Sequence, residues 1–132
     1  YTEIWAELLH CYLLSKLSDK HSYDLFCANV GIEIEFSRLQ SSKVLSLLDK
    51  NKDVNKETNV TSYYLIKTEL YNDLTNFLQY CIHYNQDMIK ITDKERFLDY
   101  LKTLPIVNKQ TMKVTGYLKQ TTRMTCLEMK LF

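Results

Sequence analysis

Gly31-Ile32-Glu33-Ile34-Glu35-Phe36 is the stretch on which the fold turns. Ile32, Ile34 and Phe36 alternate with Glu33 and Glu35, the two-residue period of a strand with one buried face and one wet face. The segment therefore predicts a strand, and with it an α+β class in which helices pack on a small antiparallel sheet. The same period returns near the end of the chain. Met112, Val114, Gly116 and Leu118 alternate with Lys113, Thr115, Tyr117 and Lys119, and beyond Gln120 to Thr122 the residues Leu127, Met129 and Leu131 alternate with Glu128 and Lys130. This predicts a C-terminal β-hairpin whose outward face is basic and β-branched.

Between and before these strands the period lengthens. Thr2 is placed to cap a helix running to about Leu17, with Ile4, Leu8 and Tyr12 on one stripe and Trp5 and Leu9 widening it. Tyr23 to Ala28 reads as a short helix or an irregular stretch. Ser41 or Ser42 caps a short helix through Val44, Leu45 and Leu48, which gives way to a polar loop from Asp49 to Thr58. A long helix from about Thr61 to Tyr84 sets Ile66, Leu70, Leu74, Phe77 and Cys81 against Asn72, Asn76, Gln79 and His83 on the opposite side. Met88 to Ile91 reads as a short strand. Thr92 and Glu95 then form a capping box for a helix carrying Phe97, Leu98, Tyr100, Leu101 and Leu104, which must stop before Pro105.

Composition sets the frame. The 132 residues, 45% hydrophobic and 25% charged, suit a single domain spanning 1–132 with one core. Two glycines and one proline leave little punctuation for linkers or repeats. The start at Tyr1 without an initiator Met reads as a fragment of a longer protein or a processed product. No apolar run approaches the roughly 18–20 residues of a membrane span, and Glu3 and Glu7 occupy the place where a secretion signal carries bases. The expectation is an intracellular protein, cytoplasmic or nuclear.

Cys11, Cys27, Cys81 and Cys126 are widely spread, with no pair at metal-knuckle or redox spacing. Three lie in apolar patterns, so reduced, buried thiols are expected, against a reading with two disulfides that the sequon Asn59-Val60-Thr61 would suit. His10, His21 and His83 are the imidazoles available for acid-base work. Cys81 and His83, two apart on a helix, diverge by roughly 200° and cannot act together within it. With only Gly31 and Gly116, the chain has neither a Gly-rich phosphate loop nor a nucleophile elbow. No metal or cofactor is implied.

Three further patterns bear on function. Leu127-Glu128-Met129-Lys130-Leu131 has the look of the metal-binding strand in nucleases with a PD-(D/E)xK core, where Lys steadies the attacking water. That chemistry needs a second acid on a preceding strand, and residues 105–127 contain none. Ten tyrosines are the compositional excess, and Tyr63, Tyr64, Tyr71, Tyr80 and Tyr84 gather on or beside the long helix. Tyr brings contact area and a polar tip at little entropic cost, which makes these five interface candidates, or alternatively a rim around the core. Charge is uneven: residues 1–50 are net −2, 51–108 net −1 and 109–132 net +4. Lys109, Lys113, Lys119 and Arg123, with Tyr117 among them, could lie along a nucleic-acid backbone.

The sequence thus leans towards a non-catalytic interaction or scaffold domain whose partner is another protein or a second copy of the chain. A nucleic-acid-binding module centred on the basic hairpin is the alternative, and a metal-dependent nuclease fragment the third reading.

Overall fold

A computed structural model describes residues 1–18, 22–50, 59–105 and 126–127. Among them are five α-helices and no strand: α1 (Thr2–Leu17), α2 (Tyr23–Lys50), α3 (Asn59–Asn72), α4 (Leu74–Tyr84) and α5 (Lys94–Thr103). The described fold is helical, and the expected α+β class with its antiparallel sheet is overturned. The predicted hairpin lies outside the described residues apart from Cys126 and Leu127, which are in no strand.

The deciding stretch shows why the two-residue period misled. Residues 31–36 fall in the middle of α2, where Glu33 is 1% exposed and Ile32 44% exposed, the reverse of the strand expectation. Burial along α2 falls at Val30, at Glu33, at Phe36 and Ser37, and at Gln40 and Ser41, recurring every three or four residues, which is one face of a helix. Once a helix is nucleated on either side, each further residue adds a hydrogen bond at little cost, and six alternating residues cannot interrupt it. Ser41 and Ser42, expected as caps, are interior to α2, and the expected strand at Met88 to Ile91 is a series of bends.

Local capping differs from expectation in the same spirit. Tyr1, not Thr2, is the N-cap of α1, without a side-chain hydrogen bond. Asp93, not Thr92, caps α5 by accepting from the Arg96 N–H at 3.0 Å, while the Thr92 hydroxyl donates to the Tyr84 carbonyl at 2.9 Å. The long helix expected over 61–84 is two helices broken at Asp73. Its carboxylate is engaged by the Asn76 amide at 2.7 Å and the Tyr100 hydroxyl at 3.0 Å, tying the break to α5.

Helix α2 packs between α1 and α3. Arg38 bonds Asn72 while Ser41 bonds the Tyr64 carbonyl, so α2 runs antiparallel to α3, and the Asn29 amide donates to Ser15 on α1. Ile4, Leu8, Cys11, Val30, Leu70, Tyr71, Phe77, Tyr80 and Cys81 form the apolar core. Fully burying a side chain such as Leu70 or Phe77, both 0% exposed, contributes about 1.5–3 kcal/mol. Helix α5 is held on α4 by aromatic faces, Tyr80 stacking on Tyr100 at 4.9 Å between centroids.

Gly31 supplies a direct check of the helical assignment. It is exposed, and a Cβ built there meets nothing within 4 Å. Gly31→Ala is expected to stabilise the protein by about 0.5–1 kcal/mol, the usual difference between these residues inside a helix. Urea denaturation monitored by circular dichroism measures it; a loss of stability would contradict a continuous α2.

Candidate functional site

Three helices each turn one apolar stripe toward a common groove. From α1 come Trp5, Leu8, Leu9 and Tyr12, from α2 Tyr23, Phe26, Val30 and Ile34, and from α4 Leu74, Leu78 and Ile82, with Met88 beyond its end. The spacings are those of a single helix face in every case. The groove holds about 560 Å³, within the roughly 300–1,000 Å³ typical of ligand sites. Leu8 and Val30 form its buried floor, while its rim is open: Leu9 is 53%, Tyr23 77% and Ile82 56% exposed. Groups of large apolar side chains open to water in this way mark partner or ligand surfaces more often than single exposed residues do.

One wall is under backbone strain. Met88 has φ 55°, a left-handed conformation that non-glycine residues adopt at a cost of about 1–2 kcal/mol. It is held there by the Asn85 amide, which donates to the Met88 carbonyl at 3.0 Å. Strained residues of this kind gather at binding sites, and the pliable thioether can adjust to an occupant.

Away from the groove, the contacts of α3 with α1 and α2 include buried polar groups. Glu7 on α1 pairs with Lys67 on α3 at 2.5 Å, both nearly removed from solvent, and accepts a hydrogen bond from the Tyr71 hydroxyl. Burial raises the Glu7 carboxyl above its ordinary range, while Lys67 and Tyr71 pull it back. Burial, with the Glu7 charge beside it, likewise raises the Tyr71 phenol. The Lys67 ammonium lies 5.8 Å from the ring centroids of Tyr63 and Tyr71. Further along, Thr68 is a hub: its hydroxyl meets that of Ser37 at 2.7 Å and also that of Ser41, which donates to the Tyr64 carbonyl at 2.9 Å. Glu33 faces the C-terminal segment, accepting from the backbone N–H groups of Cys126 and Leu127 at 3.0–3.1 Å.

The residues singled out in the sequence fall in different places. Tyr64, Tyr71 and Tyr80 are buried, so their rings pack within this chain's own helices, while Tyr63 is half-buried and Tyr84 exposed. Tyr84 lies under the Arg96 guanidinium, 4.6 Å from the ring centroid. None of the five lines the groove, whose tyrosines are Tyr12 and Tyr23. Lys109, Lys113, Tyr117, Lys119 and Arg123 lie outside the described residues, as do Glu128, Lys130 and His21. Of the cysteines, Cys11 and Cys81 are buried and free as expected, but Cys27 and Cys126 are exposed. Among the described residues no three His, Cys, Asp or Glu side chains gather around a point where a metal ion could sit. Nor is any helix among them long and apolar enough to cross a membrane.

No protein-family model, curated protein or solved structure matches the chain.

Two outcomes test the buried chemistry. Lys67→Met strands the Glu7 carboxylate and is expected to cost about 3–5 kcal/mol. The double variant Glu7→Gln/Lys67→Met should recover most of that loss in urea denaturation, because the uncompensated charge is gone. The Cys11 thiol is pushed up to about 12 by burial, with Glu33 and Glu7 adding to it. Iodoacetamide at pH 8 should therefore label Cys27 and Cys126 in the native protein well before Cys11, as read by peptide mass spectrometry.

Proposed function

We propose that the chain is a non-catalytic, helical protein-interaction domain whose α1–α2–α4 groove receives the apolar face of a helix from a partner protein. The observation that carries this reading is the open apolar groove itself, built from one stripe on each of three helices and left uncovered by the other described residues. A groove walled by helices matches the ridge of side chains that another helix presents, and its volume accommodates several of them. Trp5, Tyr12 and Tyr23 supply the aromatic anchors that dominate binding energy at such sites. Lys16, with its ammonium 5.6 Å from the Tyr12 ring centroid, marks a basic rim at one end that favours an acidic residue flanking the apolar face of the partner.

A labelled amphipathic peptide with leucines at helical i, i+3, i+4 and i+7 positions is the probe. Titrated into the full chain, it should perturb the Trp5 indole and the Ile82 and Met88 methyl resonances. Leu9→Glu and Ile82→Glu should each weaken binding at least tenfold while leaving the melting temperature within a few degrees, since both side chains are exposed. Binding that survives both substitutions, or perturbs other residues instead, rejects the groove as the site.

A further inference from the structure

A second pocket sits between α2, α3 and α5 and shares no residue with the groove. It holds about 210 Å³ and is walled by Leu45, Leu65, Ile66, Leu101 and Leu104, with one ionisable side chain, Glu69. That carboxyl is 8% exposed and its Oε1 atom has no hydrogen-bond partner among the described residues. Burial drives its affinity for a proton upward, as expected for a carboxylate taken from water without compensation. A buried acceptor left unmatched is costly, and few native side chains are left so. The ion pairs of the described residues, Glu35–Arg38, Glu7–Lys67, Asp93–Arg96 and Asp99–Lys102, all leave Glu69 out.

The geometry points to a binding site for a primary ammonium on a short apolar stem, the chemistry of a lysine side chain presented by a bound partner protein. The apolar walls suit the stem. Apolar cavities of about 150 Å³ already take up a six-carbon ring, so the space here admits a four-carbon chain and its head group. Glu69 suits the head, because a cation supplies the missing hydrogen bond and opposes the carboxylate charge in surroundings that screen it poorly. A neutral alcohol could supply the hydrogen bond but not the charge. The inference stands on this pocket alone and does not depend on how the α1–α2–α4 groove is occupied.

The probes are Nα-acetyl-lysine methylamide and its norleucine counterpart, which has the same stem without the ammonium. Each is titrated into the full chain while the methyl resonances of Leu65, Leu101 and Leu104 are followed. The lysine probe should bind at least fivefold more tightly than the norleucine probe, and Glu69→Gln should abolish that preference while keeping the weaker apolar binding. Leu104→Trp, which fills the pocket from its edge, should weaken both. Equal affinities in the unmodified chain, or a lysine preference that persists in Glu69→Gln, would overturn the assignment. So would n-butylammonium binding as tightly as the lysine probe, since the pocket would then recognise a free amine with no contribution from a peptide. Should Glu69→Gln fail to fold, the comparison of the two probes in the unmodified chain and in Leu104→Trp still decides the matter.

Discussion

The Glu7–Lys67 ion pair is the contact around which the helices are set. Removing two such charges from water costs several kcal/mol per ion, and the attraction between them offsets that only in one geometry, here completed by the Tyr71 hydroxyl. The rotation of α1 about its axis is thereby fixed. Trp5, Leu9 and Tyr12 lie about 140–200° around the helix from Glu7, so the turn that buries the charge presents the apolar stripe on the other side. The groove is thus a geometrical consequence of the pair. The hydroxyl network of Ser37, Ser41 and Thr68 does for α2 and α3 what the ion pair does for α1 and α3, specifying one pairing among the many that packed apolar faces would tolerate.

The arrangement inverts the usual economy of residues. Glu7, Glu33, Lys67, Thr68 and several serines occupy the interior, while Leu9, Leu13, Leu17, Ile32 and Ile82 face outward. Water would prefer the opposite assignment for both groups. A core that spends its interior on polar contacts gains specificity of packing. Of these exposed residues Leu9 and Ile82 line the groove, where apolar area is kept in reserve for another molecule, and this supports the reading of the groove as a recognition surface.

How much of this was legible in the sequence depended on how long each pattern ran. The stripe from Ile4 to Tyr12 gave α1 its extent, and the spacing of Leu70, Phe77 and Cys81 gave the buried face of α3 and α4, because both extend over more than two turns. Residues 31–36 are too few to distinguish a strand from a helix, and two isoleucines flanked by glutamates imitate a strand while the surrounding residues continue a helix. The break at Asp73 left no apolar signature, since Leu74 continues the stripe across it. The polar interior was invisible for a related reason. Glu7 and Lys67 look like surface residues until a partner sixty positions away is known, and no local pattern encodes such a pairing. The groove was half legible: its α1 stripe was assigned to the core, and the residues from Tyr23 to Ile34 that complete it lay in a stretch read as a short helix or irregular structure followed by a strand.

Glu33 grips the C-terminal segment by main-chain N–H groups, not by side chains. Such a clasp does not read side chains, so any demand on identity at 127 comes from the packing of Leu127 against the core, and the clasp itself excludes one residue type. Proline, which has no N–H to offer, is barred from both.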